Sequence, residues 1–267
     1  MVATATAAVA SPIHVSLKAE VIGYLFNLPI TNSLLMTWLV MVILITFAFF
    51  FGRSLKLIPG RFQTLIEWLL MTIKDFVYDT LGNEKLARIF FPLVATIFLF
   101  ILVGNELEFF PGIGSIGFLD GTTLTPLLRA PAADLNFTLA LAAIAFMVIE
   151  VTGIMTIGAF KYAGKFLNFR SPLTFSVGII ELVSELARLL SFSFRLFGNI
   201  FAGEVLVLVM GSFFSVLLPV PFIAFEVLVG FIQAAIFALL TLFFAKIAIE
   251  MDEAAHASGE DAPAHAS

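Results

Sequence analysis

The chain has 267 residues, a formal net charge of −5 and a sequence pI near 5.2; 61% of its residues are hydrophobic, 12% are charged and none is cysteine. A water-soluble domain carries about twice that charged fraction, so the apolar surplus calls for lipid rather than for a larger core. Lack of cysteine removes disulfides and thiolate metal sites, no metal or cofactor is expected, and no basic block or zinc-finger spacing points to nucleic acid.

Residues 1–28 have no early basic cluster of the kind that precedes a cleaved signal sequence. They read as a retained external tail, with Pro12 and Pro29 as breakers. A single polytopic membrane domain is expected over residues 29–251, with crossings near 31–52, 89–110, 137–160, 175–218 and 222–250. About 20 helical residues cross the hydrocarbon layer, so each run is long enough. Between the first two, Phe62, Leu65, Ile66, Leu69, Leu70, Ile73, Phe76 and Val77 follow the spacing of one helical face, with Gln63, Glu67, Lys74, Asp75 and Asp79 around it. That pattern predicts an amphipathic helix over 61–83 lying at the membrane interface, or alternatively a loop helix packed on protein. The small, acidic segment 252–267 reads as a flexible cytoplasmic tail. The fold class is therefore all-α, with five membrane-crossing helices and one interfacial helix.

Basic residues fix the expected orientation. Arg53, Lys56, Arg61, Lys74, Lys85 and Arg88 lie between the first two crossings, and Lys161, Lys165 and Arg170 follow the third. The segment from Glu106 to Asn136 has only Arg129 against Glu106, Glu108, Asp120 and Asp134. Both basic loops belong on the cytoplasmic side, which puts the N-terminus outside and the C-terminus inside.

The last two crossings hold the unusual chemistry. Arg195 sits amid apolar residues far from either end of its run. An arginine at the bilayer centre costs roughly 3 kcal/mol on insertion scales and cannot shed its charge, so it must face protein, water or a counter-charge. Glu181, Arg188 and Arg195 recur every seven residues on one stripe, with Glu185 near that face and Asn199 one turn beyond Arg195. Glu204 lies roughly half a revolution away. If the chain turns near Ser215, Glu204 meets Glu226 at equal depth and Arg195 meets the neighbourhood of Gln233. The expectation is an outer carboxylate pair and a deeper arginine–glutamine–asparagine cluster. A like-charged pair in poor solvent is a candidate proton relay. Gln233 and Asn199 could equally join helices by hydrogen bonds. Glu181, Glu185 and Arg188 form either a structural network or part of a cytoplasmic path, and Glu150 faces either a cavity or a partner within the bundle.

The run from Ser191 to Glu204, SFSFRLFGNIFAGE, closely resembles the signature of subunit a of F-type ATP synthases. Phe91-Pro-Leu-Val-Ala, Pro131-Ala-Ala-Asp-Leu-Asn136 followed by Thr138-Leu-Ala-Leu-Ala, and Pro221 through Gln233-Ala extend the resemblance, in order, from Phe91 to Ile249. The resemblance implies two long, tilted final helices against a ring of c subunits, with Arg195 as the essential arginine facing it. It implies that Glu204 and Glu226 line a half-channel open to the outside, that Gln233 and Asn199 support the arginine, and that Asp134 and Asn136 belong to a polar motif near the outer entrance. Two departures stand out: Glu226 replaces a histidine common in bacterial relatives, and Glu106 and Glu108 stand where apolar residues usually follow an asparagine.

The implied role is a non-catalytic, ion-conducting stator subunit of a bacterial inner-membrane ATP synthase. Two offset half-channels would load and unload the ring carboxylates with protons, sodium being the alternative ion. Its partners would be the c ring, the peripheral-stalk b subunits, the rest of the synthase and membrane lipid. No GxxxxGK[ST] phosphate loop is present. A self-contained secondary transporter and a structural membrane scaffold are the rival readings; no inverted repeat supports the first.

Overall fold

The computed structural model describes residues 18–110, 113, 116–120, 123–158, 172–213 and 219–260. The expected tail ends at 1–17 and 261–267, the basic loop with Lys161, Lys165 and Arg170, and the turn at Ser215 lie outside those residues. The fold is all-α in its membrane-crossing part. Five helices are long and apolar enough to cross a bilayer: α1 (Asn32–Arg53), α3 (Glu84–Glu108), α4 (Leu135–Ile157), α5 (Pro172–Phe213) and α6 (Pro219–Glu260). A sixth helix, α2 (Arg61–Leu81), joins α1 to α3.

Local chemistry sets the helix ends. The Thr31 hydroxyl accepts from the Leu34 N–H at 3.2 Å to start α1. Gly82 ends α2 at φ 62°, a left-handed conformation that glycine adopts without strain, and its N–H bonds to the Tyr78 carbonyl. Asn83 then caps α3, its Oδ1 accepting from the Lys85 N–H at 3.0 Å. This back-to-back stop and start explains why α3 begins several residues before the apolar run at Ile89. Asp134 caps α4 by accepting from the Asn136 N–H at 3.0 Å, after a short 3-10 turn over Pro131–Ala133. Proline opens both α5 and α6, where its missing N–H goes unused by the helix.

Two small antiparallel hairpins interrupt the otherwise helical design. Strands β1 (Val21–Leu25) and β2 (Leu28–Thr31) precede α1, closing on Phe26 and Asn27, both at positive φ as a two-residue type I′ turn requires. Strands β3 (Gly117–Asp120) and β4 (Thr123–Pro126) lie between α3 and α4. The Asn32 amide donates to the Pro126 carbonyl at 3.4 Å, tying the start of α1 to the second hairpin. Both hairpins therefore crown the bundle end where α3 finishes and α1 and α4 begin. α6 continues to Glu260, through residues expected as a flexible tail.

The core forms where α6 lies among α3, α4 and α5. Phe90, Val94, Ile97, Ile101, Leu196, Phe237 and Leu242 are among its buried side chains. Phe192 of α5 packs on Phe237 and Phe244 of α6, with ring centroids 5.4 and 5.2 Å apart. The helix α2 divides its apolar face: Leu69, Ile73, Val77 and Leu81 join the core, whereas Phe62, Leu65, Trp68 and Met71 stay exposed. At about 1.5 Å per residue, the 42-residue α5 is far longer than a perpendicular crossing needs.

Candidate functional site

Three contacts set the pairing of α5 with α6. Arg188 lies 4.4 Å from the Phe244 ring centroid, Phe192 packs on Phe237, and the Asn199 amide donates to Gln233 Oε1 at 2.6 Å. Positions equally far from the connection thus face each other, the register expected for a turn near residue 215. One step further out, Glu226 of α6 folds onto the backbone of α5 at Gly203. A Cβ at Gly203 would overlap the Glu226 carboxylate, so the glycine is what lets the acid lie between the helices. Glu226 is 4% exposed, and its Oε2 has no hydrogen-bond partner.

Glu204 stands at the depth expected for it, next to the Gly203 backbone on which Glu226 lies, but with a partner the sequence did not predict. The expected outer pair of carboxylates holds an arginine. Arg129, just before the 3-10 turn, grips Glu204 with one edge of its guanidinium: Nε donates to Oε1 at 3.0 Å and to Oε2 at 3.1 Å, and Nη2 donates to Oε2 at 2.8 Å. Arg129 is only 7% exposed and the Glu204 side chain 20%. Bidentate pairing of this kind is among the stronger charge-assisted contacts. The sequence signal was available: Arg129 is the lone basic residue in an acid-rich outer segment. Nothing in the sequence, however, tied it to a glutamate 75 positions away.

The end of α3 completes this layer. The Asn105 amide donates to the Gly230 carbonyl of α6 at 3.3 Å. Glu106 Oε1 comes within 3.3 Å of where a Gly230 Cβ would stand, so this second glycine admits α3 as Gly203 admits Glu226. Glu108 lies within electrostatic range of Glu204, Glu226 and Arg129. Glu106 Oε1 and Glu108 Oε2 are buried and make no hydrogen bond. Four carboxylates from three helices therefore stand in this end of the bundle, with Arg129 bonded to Glu204 and within electrostatic range of Glu108.

Deeper in, the expected three-residue polar cluster divides. Asn199 and Gln233 bond to each other, with Gln233 1% exposed. Arg195 joins neither and forms no ion pair or hydrogen bond with any described residue. It lies instead on an exposed stripe of α5 with Ser191, Gly198, Asn199 and Ala202. Nothing stands within 4 Å of where a Gly198 Cβ would be. The adjoining face, through Phe192, Leu196, Ile200 and Gly203, is buried. Nine residues on, about half a revolution around α5, Glu204 looks in the direction opposite to Arg195.

The remaining predicted residues are more dispersed. Asp134 is buried as the α4 cap, while Asn136 is exposed and lends the cap only its backbone N–H. Thr138 of α4 and Ser193 of α5 share a buried hydroxyl contact at 3.0 Å, a link that sequence reading missed. Glu185 is buried, and Glu150, Glu181 and Glu185 each interact with neighbouring groups. Arg188 lies over Phe244, a cation–π contact that accommodates its charge against α6.

Among known proteins, the pattern of the family described as ATP synthase A chain matches residues 34–246. The chain belongs to that family. It is 36% identical over 214 residues to ATP synthase subunit a 2 of Syntrophotalea carbinolica, covering 80% of this chain and 84% of the relative. It is 37% identical over 215 residues to ATP synthase subunit a of Desulfotalea psychrophila, covering 78% and 80%. ATP synthase subunit a 1 of Pelobacter propionicus is 33% identical over 216 residues, covering 80% and 86%. The region matched to the ATP synthase A chain family holds every site residue named above, whereas hairpin β1–β2 lies before it.

Proposed function

We propose that this chain is the ion-conducting stator subunit of a rotary F-type ATP synthase in a bacterial inner membrane, coupling proton flow to rotation of a ring of c subunits. The observation that carries the reading is the stripe through Ser191, Arg195, Gly198, Asn199 and Ala202. Lipid is a poor neighbour for a permanently charged guanidinium, and the small residues flanking it leave room for a close partner helix. A ring of helices bearing carboxylates supplies both the countercharge and the shape. The length of α5 and α6 fits helices tilted along such a ring.

In this reading, the end of the bundle carrying the hairpins faces outside. A proton arrives through the polar layer containing Glu204 and Glu226, with Asp134 and Asn136 near its mouth, and passes to a ring carboxylate. After rotation it leaves on the cytoplasmic side, where Glu181 and Glu185 are the candidate lining acids. Arg195 attracts each emptied ring carboxylate and repels a proton that would cross directly. The Asn199–Gln233 bond joins the helix pair one turn further out. A charge crossing 100 mV is worth about 2.3 kcal/mol, and a leak past Arg195 would dissipate it. The exposed apolar half of α2 suits the cytoplasmic interface, near the peripheral-stalk b subunits.

The test is proton-driven ATP synthesis by the assembled complex in sealed vesicles. Arg195→Ala should abolish synthesis while the complex remains assembled, and Arg195→Lys should impair it, because lysine lacks the planar fork. Coupled synthesis at the unmodified rate in both variants would move the scaffold reading to the front.

A further inference from the structure

The β1–β2 hairpin ends in residues that suit neither water nor its own turn. Tyr24, Leu25, Phe26, Leu28 and Pro29 are all exposed around its tip, Phe26 by 94%, and only Asn27 among them is strongly polar. Phe26 has φ 48° and Asn27 φ 67°. Asparagine and glycine favour such a two-residue turn, whereas a bulky aromatic in the left-handed region is an outlier. The tip thus accepts an unfavourable backbone and presents a phenyl ring outward.

What surrounds the tip follows from where the hairpin is rooted. β2 runs straight into α1, with Thr31 both ending the strand and capping the helix. Of the five helices long enough to cross a bilayer, α1 is the least covered by its neighbours, with Trp38, Val42, Ile45 and Phe50 exposed along it. No charged residue occurs from Val21 to Gly52, so the uncharged run of this lipid-facing helix continues through the hairpin. α1 has 22 residues. At about 1.5 Å each they match a hydrocarbon layer about 30 Å thick, which puts Thr31 at the headgroup boundary.

The ribbon's geometry then selects lipid over a protein partner. Leu25 pairs with Leu28 and Tyr24 with Pro29, and successive pairs point to opposite faces. Both faces of the tip are therefore apolar. Docking on a protein surface would cover one of them; lipid covers both. Depth is limited too. Among the described residues the sheet has two strands, so each keeps an unpaired backbone edge. Hydrocarbon leaves such edges unsatisfied, while headgroups and water satisfy them. Tyrosine is favoured at that same interface.

We propose that the β1–β2 hairpin is an interfacial lipid anchor, its tip from Tyr24 to Leu28 seated among headgroups and upper acyl chains beside the start of α1. It holds that end of α1 at a fixed level in the bilayer.

The test uses nitroxide labels, since the chain has no cysteine of its own. Phe26→Cys and Leu28→Cys are labelled singly in the assembled complex, in vesicles of phosphatidylethanolamine and phosphatidylglycerol. The unmodified complex, treated alike, gives the background from other subunits. Collision with oxygen, which concentrates in lipid, is compared with collision with a water-soluble nickel chelate. Labelled Ile45→Cys on α1 is the lipid reference and labelled Ser11→Cys the aqueous one. At both tip positions the oxygen-to-chelate ratio should lie well above the Ser11 value and at or below the Ile45 value. A ratio equal to that at Ser11 would put the tip in water and overturn the proposal. Weak collision with both reagents would mean that protein covers the tip, and would overturn it equally. Because a nitroxide is itself apolar, Leu25→Cys is also labelled with and without Phe26→Ser/Leu28→Ser. The serines should move its ratio toward the aqueous value; an unchanged ratio would show that these side chains do not anchor the tip.

Discussion

At the scale of single residues, two glycines and one arginine determine how acids are held between helices. Gly203 gives the Glu226 carboxylate its place, and even one added methyl would meet it. Gly203→Ala should therefore displace Glu226, at the cost of about 1–3 kcal/mol that overpacking carries, and slow proton-driven synthesis; thermal unfolding of the purified complex and a synthesis assay together check this. Arg129→Ala should be more damaging to stability. It would leave Glu204 partly buried and unpaired, with a loss of about 3 kcal/mol, visible as a lower unfolding temperature of the complex. Reading the sequence, the charge of Arg195 could be interpreted at once, because an apolar run on both sides makes its isolation obvious. The partner of Glu204 could not, because the contact depends on how the segment before α4 folds back over α5. Glu106 and Glu108 were equally opaque: a surface acid and a buried acid look the same until α3 is docked on α6.

At the scale of elements, apolar runs located all five helices long and apolar enough to cross a bilayer, since lipid demands about 20 residues of low polarity and little else has that composition. Helix ends were less legible where a cap rather than hydrophobicity decides them. Asn83 starts α3 at Glu84 among charged residues that a hydropathy reading assigns to a loop. The hairpins were missed because four- or five-residue strands bounded by turns leave little pattern in so apolar a chain. Capping also makes a quantitative expectation: Asp134→Ala should cost about 1 kcal/mol and loosen the start of α4, measurable by amide hydrogen exchange at 135–138. Between α5 and α6, the Asn199–Gln233 bond links two helices in a setting where such bonds average about 0.6 kcal/mol. A double-mutant cycle with Asn199→Ala and Gln233→Ala, followed by thermal unfolding, should return a coupling of that order; additive effects would mean the bond contributes nothing.

At the scale of the whole molecule, the bundle separates two polar environments on opposite faces of α5. One is an enclosed layer of acids with Arg129 at the hairpin end. The other is the open stripe of Arg195. That separation was anticipated from the nine-residue offset of Arg195 and Glu204, because helical geometry alone fixes it. The proposed orientation in the membrane rests on basic-residue placement and has its own check. The chain has no cysteine, so a single introduced thiol is a clean reporter. In inverted vesicles, a membrane-impermeant thiol reagent should label Ser267→Cys and leave Ser11→Cys unlabelled; the opposite pattern would reverse the orientation. The measurement closest to the central claim is passive proton leakage through the assembled membrane sector carrying Arg195→Ala. If Arg195 is the barrier between two half-channels, the variant should leak protons down an imposed gradient faster than the unmodified sector, with the ring still bound. An assembled variant that is as proton-tight as the unmodified sector would contradict that role.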